Sequence, residues 1–390
     1  VVPGVTSAVA AAAYAGIPLT HRNATSTLAL VTGHEDPQKG KSDIDWEALG
    51  RMGTLVFLMG VKNLPFIVNK LLEAGKERAC PAALIRWGTT PRQETLTGTL
   101  GDIVTRAQDA GVRPPAIFVV GPVVALREKL AWFDRQPLFG KTVLVTRPQA
   151  QAEGLSRLLA AEGARVITLP TIEILPVEDY RYLDLALTNI QTYDWLIFTS
   201  ANGVRFFLRR LWERGGDLRD LKGLKICCIG PATAKAVEAR GIRVDLVPDS
   251  YISEGVAAAL IARGMAGAQV LLPRAEIARD VIPQELTRAG ADVDVVAVYR
   301  TRLLPHPPEQ LLDIMLDLDV VTFTSPSTVA GFMAIWGERP WPERVRVACL
   351  GPVTGQAATR AGLDVHIEED VFTIEALVAG IRAYFAPAGK

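Results

Sequence analysis

Two apolar runs in the sequence end in the same three residues. Phe198-Thr199-Ser200 follows Trp195-Leu196-Ile197, and Phe323-Thr324-Ser325 follows Val320-Val321-Thr322. Helix-forming residues come next in both places. Ser200 and Ser325 therefore occupy N-cap positions, where a hydroxyl stands beside the free N–H groups of a first helical turn. Downstream, Gly230-Pro231-Ala232-Thr233 and Gly351-Pro352-Val353-Thr354 repeat the design. Each sets Pro near the first helical position, where its missing N–H is harmless, and adds a threonine hydroxyl, Thr233 or Thr354. Upstream, Thr146-Arg147-Pro148 matches Pro273-Arg274-Ala275, so Arg147 and Arg274, with Arg279 nearby, are candidate carboxylate partners. Four helix starts with hydroxyls suit a ligand bearing several anionic groups. No Walker A or GxGxxG pattern accompanies them, which favours carboxylates over nucleotide phosphates.

The elements that must position these residues form a duplication. The matched Ser, Gly-Pro and Arg motifs lie 125, 121 and 127 residues apart. A period that long belongs to a repeated α/β domain and not to a solenoid. Two extended, Pro-bounded segments also match, Thr171 to Pro176 and Val298 to Pro305. They predict two similar α/β lobes joined by a pair of strands, with the ligand in the cleft between the lobes. Thr171–Leu175 and Val298–Leu303 should then lie side by side. Tyr299 sits on the second of these segments, where a phenol could donate a proton or hydrogen bond to a leaving group.

Composition narrows the partners. The chain has 390 residues, 49% hydrophobic and 22% charged, with a formal net charge of zero. No Lys/Arg run or aromatic-basic stripe suggests nucleic acid. The most apolar stretch, Ala8 to Leu19, is too short to span a membrane and is broken by Gly16 and Pro18. Cys80, Cys227, Cys228 and Cys349 form no CxxC and read as buried cytosolic thiols. The four histidines show no paired-ligand spacing, so no metal is expected.

Residues 1–134 read as a separate open α/β region. Val1-Val2-Pro3-Gly4-Val5-Thr6-Ser7 is a strand end, a turn and a small-residue helix start capped by Thr6 or Ser7. Thr54 to Met59 and Ala82 to Trp87 are buried strands ending in Met-Gly and Gly-Thr, and Pro115 to Gly121 is a last one. Thr32-Gly33-His34-Glu35 follows a further apolar run. The chain opens as if in the middle of a domain. Residues 134–140, Asp-Arg-Gln-Pro-Leu-Phe-Gly, read as a linker.

The runs VVPGVTSA, AYAGIPLTHR, TGHE, TLVFLMG, WGTTPRQETLTGTL and PPAIFVVGPVVALREKLAWF resemble uroporphyrinogen-III C-methyltransferase, a tetrapyrrole methylase, over all of residues 1–134. The resemblance covers the later part of that family's chain. It implies S-adenosylmethionine as methyl donor, precorrin-2 as product, and Thr6, Ser7, Met59 and Gly88 as cofactor contacts. It also implies weak or absent binding to this chain alone, and dimerisation of the methyltransferase part. The runs VLVTRPQAQAEGLSRLLAAEGARVITLPTIEI, WLIFTSANGV, IGPATA, LPRAEIARDVIPQELTRAGADVDVVAVYRT, FTSPSTV and LGPVTG resemble uroporphyrinogen-III synthase over about 141–385. That family cyclises hydroxymethylbilane with loss of water and inversion of the last pyrrole ring, without metal or cofactor.

The expected fold is thus α/β: the C-terminal half of a methylase domain (1–134), then a synthase domain (141–390) of two lobes joined by a two-stranded ladder. By the synthase resemblance, lobe one takes about 141–172 and 300–388, and lobe two about 173–299. Tyr299 is the expected catalytic residue. Ser200, Thr233, Ser325, Thr354, Arg147 and Arg274 are the expected substrate-binding residues. The expectation is a cytoplasmic fusion of a lyase with a methyltransferase in tetrapyrrole biosynthesis. Its substrates are tetrapyrroles, and neither nucleic acid nor membrane is a partner. The competing readings are a nucleotide-sugar or phosphosugar enzyme on two α/β lobes and a two-lobed small-anion binding protein, of the periplasmic type, without catalysis.

Overall fold

A computed structural model describes residues 2–33 and 43–386. His34 and Glu35 of the Thr-Gly-His-Glu run, and Val1, lie outside the described residues. The chain divides into two compact units. One comprises Val1–Val143, Ser156–Ile167 and Arg382–Lys390, the other Leu144–Leu155 and Thr168–Ile381. This division does not follow the expected linker at 134–140. That segment is bonded to the end of the helix Gln149–Ala161: Gln136 Nε2 donates to Ala161 O (3.0 Å) and Leu138 N to Glu162 O (2.9 Å).

Unit one is built on strands β1 (Leu28–Thr32), β2 (Thr54–Leu58), β3 (Pro81–Arg86), β4 (Glu94–Thr99) and β5 (Ala116–Val120), in the order β1-β2-β5-β3-β4. Only β1 and β2 run parallel; the β2–β5, β5–β3 and β3–β4 pairs are antiparallel. The central strands Thr-Leu-Val-Phe-Leu and Ala-Ile-Phe-Val-Val are buried on both faces. Their unbroken apolar runs, without polar alternation, come from helices packing on both sides. Strand β4, Glu-Thr-Leu-Thr-Gly-Thr, is an edge strand that sequence reasoning did not pick out, because only Leu96 in it is apolar.

The remaining strands are β6 (Thr142–Val145), β7 (Arg165–Thr168), β8 (Ile172–Pro176), β9 (Trp195–Phe198), β10 (Lys225–Cys228), β11 (Gln269–Ala275), β12 (Asp292–Leu303), β13 (Val320–Phe323), β14 (Arg346–Cys349) and β15 (Ile367–Glu368). They form two sheets, β10-β9-β11-β12-β8 and β15-β14-β13-β6-β7. The order β10-β9-β11-β12 in one matches β14-β13-β6-β7 in the other. Each lobe therefore takes two of these strands from one repeat and two from the other. The chain can do this only by crossing between lobes twice, and β8 and β12 are the crossings. They pair antiparallel, with Leu303 opposite Ile172 and Tyr299 opposite Pro176. The side-by-side placement expected of the two extended segments is what the structure has.

Thr171, at the base of this ladder, is fully buried. Its hydroxyl lies 3.1 Å from Thr328 O and 3.3 Å from Thr146 O, and its carbonyl accepts from Leu304 N (3.0 Å). The helix Pro326–Trp336 presses on it so closely that a Cβ at Gly331 would stand 2.5 Å from Thr171 O. Strands β6 and β13 exchange side-chain bonds beside it: Thr146 Oγ1 donates to Thr322 O (2.7 Å) and Thr322 Oγ1 to Leu144 O (2.9 Å). Cys227, Cys228 and Cys349 are buried in the strands, and burial pushes each thiol up to about 12. Among the described residues no helix is long and apolar enough to cross a membrane, and no His/Cys/Asp/Glu group could hold a metal.

Thr171→Val keeps the shape of the side chain and removes its hydroxyl from two buried carbonyls. It is expected to cost about 1–3 kcal/mol in urea unfolding, with the slope against denaturant unchanged. A loss under about 0.5 kcal/mol would mean that the hydroxyl is not what anchors the ladder.

Candidate functional site

The ladder places Tyr299, within β12 and opposite Pro176, with its ring on Phe206, centroids 5.8 Å apart and nearly parallel at 23°. Its hydroxyl lies 3.0 Å from Ser200 Oγ. Ser200 caps the helix Ala201–Glu213 and accepts from Gly203 N at 3.0 Å. With one lone pair taken, the serine can still give its own proton to Tyr299, and that leaves the phenol O–H free to donate elsewhere. Burial raises the Tyr299 pKa and the Ser200 bond pulls it back down. The phenol therefore stays protonated at neutral pH. The Arg205 and Arg209 guanidiniums stand 4.7 and 4.6 Å from the centre of the Phe206 ring. Burial, then repulsion from Arg209, lowers the Arg205 pKa. Sequence reasoning missed this cationic pair. The arginines follow Ser200 at helical spacing, but nothing in the pattern showed which face they take.

Ser325 is not equivalent in use. It caps Pro326–Trp336 in a closed capping box: Thr328 N donates to its Oγ (3.3 Å), and Ser327 Oγ is 2.9 Å away. At the matched position of the other crossing strand, Tyr299 is replaced by the buried Ile172. Only one of the two repeats thus has a phenol to orient.

Thr233 and Thr354 lie in the first turns of the helices Pro231–Glu238 and Pro352–Arg360, after the expected glycines and prolines. Both are buried, 5% and 3% exposed. Neither hydroxyl has a hydrogen bond within the protein among the described residues; buried Thr146, Thr171, Thr322 and Thr328 are bonded, and buried Thr54 is not. Neither is among the fully buried unpaired atoms, as the Thr54 hydroxyl is, so both stay open to a ligand or water. Arg147 is also short of partners. Burial lowers its pKa, its Nε has no partner, and it forms no ion pair among the described residues. Its one bond is a long one, 3.4 Å to Gln151 Oε1. Gln151 in turn donates to Asn202 Oδ1 (2.9 Å), a bridge from one lobe to the other beside Ser200. Arg274, matched to Arg147 by the repeat, is instead ion-paired to Asp280, and Arg279 to Glu254. Of the three arginines, only Arg147 lacks a counter-charge among the described residues.

In unit one, Ser7, Met59 and Gly88 line one cavity of about 850 Å³ with Ala11, Trp87, Thr89 and Pro115. Thr6 caps the helix Ser7–Tyr14, accepting from Ala8 N at 3.4 Å, and is not part of the lining. The only non-glycine residues with positive φ among those described are Met59 (56°), Trp87 (47°) and Thr89 (72°), and all three line this cavity. Such backbone strain costs about 1–3 kcal/mol per residue and collects at functional sites. Gln93 Oε1 fixes one of the three by accepting from Thr89 N at 3.0 Å. Gly88 approaches the helix so closely that a Cβ would stand 2.3 Å from the Ala11 Cβ.

The site has two lobes joined by a ladder, a protonated phenol held by a serine, and a half-buried arginine that, among the described residues, has no counter-charge, with two threonines whose hydroxyls are unbonded. The family model of uroporphyrinogen-III synthase HemD matches residues 153–379, and that of the tetrapyrrole (corrin/porphyrin) methylases matches residues 1–104. The porphyrin biosynthesis protein HemD of Ruminiclostridium josui is 37% identical over 97% of this chain and 75% of its own length. The uroporphyrinogen-III C-methyltransferase of Bacillus subtilis is 37% identical over 64% of this chain and 51% of its own. A uroporphyrinogen III methyltransferase of Methanosarcina barkeri is 50% identical over 33% and 51%. The chain thus spans about half the length of those two methyltransferases. Among solved structures, a uroporphyrinogen III synthase of Thermus thermophilus aligns with TM-score 0.47 and 18% identity, covering 62% of this chain and 98% of its own.

The chain belongs to the uroporphyrinogen-III synthase HemD family, with a tetrapyrrole methylase portion ahead of the synthase domain. The alternatives of a phosphosugar enzyme and a small-anion binding protein find no support in these relatives.

The raised Tyr299 pKa has a sign that can be tested. A folded pKa above the unfolded value, about 10 for tyrosine, contributes stability that is whole below that pH and is lost as pH rises through the folded value. The tyrosinate absorbance of wild type minus Tyr299→Phe should therefore appear above the ordinary range. Ser200→Ala should move it higher still, because the serine bond is what lowers it. An unchanged titration in Ser200→Ala would mean that the serine does not hold the phenol.

Proposed function

We propose that residues 141–390 convert hydroxymethylbilane to uroporphyrinogen III, losing water and inverting ring D. In this reading lobe one comprises about 141–172 with 300–388, and lobe two about 173–299. The observation that carries it is the bond between Tyr299 and Ser200 in a chain of the synthase family. The hydroxyl to be lost is on a carbon attached to an electron-rich pyrrole, so the pyrrole nitrogen supplies the electrons as the C–O bond breaks. Tyr299 donates to the departing oxygen, and the protein's other task is to hold the linear tetrapyrrole curled for ring closure. Arg147, Thr233 and Thr354 take its acetate and propionate groups. Ser200 acts mainly through Tyr299. Ser325 and Arg274, whose own bonds are already made, contribute less.

In the same reading residues 1–134 serve methylation of uroporphyrinogen III to precorrin-2. The cavity's chemistry fits S-adenosylmethionine, which supplies the methyl group when bound. Met59, beside an apolar wall, packs on the adenine, and Ser7 and Gly88 contact the rest, with Thr6 shaping the helix start. These residues form one wall, so the polypeptide 1–390 by itself binds that cofactor weakly. The working form is cytoplasmic, binds tetrapyrroles and not nucleic acid, and dimerises through the methyltransferase part.

Incubation with hydroxymethylbilane, oxidation and separation of the porphyrins tests the synthase reading: type III should predominate, and type I alone would overturn it. Tyr299→Phe should lose activity partially, within or below about 10²–10⁴-fold, because water can substitute as donor. Thr233→Ala and Thr354→Ala should each raise KM by about 5- to 100-fold, and should add type I product by letting substrate escape to close in solution. If Tyr299→Phe is fully active while Thr354→Ala abolishes turnover, the phenol is structural and the enzyme works by holding its substrate.

A further inference from the structure

The repeat brings together one more pair of residues. Tyr251 precedes the helix Ser253–Ile261, and Phe372 precedes Ile374–Phe385. They lie 121 residues apart, the same spacing that relates Gly230 to Gly351. Each ring covers its own lobe's glycine. A Cβ at Gly230 would stand 3.2 Å from Tyr251 Cβ and Cγ, and one at Gly351 would stand 2.5 Å from Phe372 Cδ1. A side chain at Gly351 would thus collide with the Phe372 ring, and one at Gly230 would be tight against Tyr251. The two rings also meet each other, centroids 5.9 Å apart and crossed at 79°, an edge-to-face contact between residues of different lobes. Both are only half-buried, so the contact can part without opening either core.

We propose that Tyr251 and Phe372 are positioning residues whose contact clasps the two lobes and fixes the separation of the helices carrying Thr233 and Thr354. The ladder alone leaves the lobes free to swing about two strands. The clasp lies at the helix starts themselves, so it sets the span across which carboxylates are gripped. It acts through those helices and touches no reacting atom. For the cyclisation proposed above, on which this role rests, the span decides whether the bilane is held tightly enough to invert its last ring before closure.

The test uses the full chain with nitroxides at Lys235→Cys and Gln356→Cys, exposed positions on the two helices, in a Cys80→Ser background. The remaining cysteines are buried. Wild type should give one narrow distance, and Tyr251→Ala or Phe372→Ala a broad or longer one, with the melting temperature little changed. The exchange Tyr251→Phe with Phe372→Tyr keeps an aromatic pair and should restore the narrow distance. In assays with hydroxymethylbilane each alanine variant should raise KM and the type I share by about 2- to 10-fold with kcat changed less. The double variant should be no worse than the worse single, as expected for two halves of one contact. Unaltered distances, or single effects that add in full in the double variant, would overturn the clasp. If wild type forms no type III product yet the alanine variants broaden the distance, the clasp stands and the cyclisation reading falls. If wild type forms type III and the distances do not respond, only the clasp falls.

Discussion

The β8–β12 pairing is the constraint from which the synthase half follows. Each lobe needs strands from both repeats, so the chain must cross twice, and two crossings placed antiparallel make a ladder. One end is fixed in a lobe by Thr171, whose hydroxyl and carbonyl are bonded to three other segments. The other end brings Tyr299 to Ser200. The same paired strands thus anchor the lobes and aim the phenol. Tyr299 itself packs into the core of one lobe, with Phe206, Val296 and Val298.

The duplication explains the symmetry of the site and also its limits. The same local features recur in both lobes: a Gly-Pro helix start, a buried threonine whose hydroxyl is unbonded among the described residues, and an aromatic ring on the glycine. The asymmetric features are those that chemistry needs once. Tyr299 faces Ser200, while Ile172 occupies its counterpart position; Arg147 lacks a counter-ion among the described residues, while Arg274 has Asp280.

Much of this was legible in the sequence because it rests on local rules. Caps, Gly-Pro starts, buried strand runs and the paired crossing segments are each written in a few neighbouring residues, and the repeat spacing ties them together. What stayed hidden depends on contacts between distant segments. Gln151 with Asn202, and Arg205 with Arg209 on Phe206, follow from helix rotation that no motif records. The strained backbone at Met59, Trp87 and Thr89 was invisible because these are ordinary residues forced into unusual conformations by the surrounding packing. Tyr251 and Phe372 could have been found: the spacing that matched the glycines also matches them, but aromatic residues before a helix carry no cap signal to draw notice.

The central claim is that one ligand is gripped at both Gly-Pro helix starts at once. Amide hydrogen exchange of the chain with and without uroporphyrinogen III tests this directly. The account predicts protection of the amides at 232–234 and 353–355 together, rising in parallel to a single equivalent of ligand. Protection confined to one lobe, or two lobes saturating at different ligand concentrations, would contradict it.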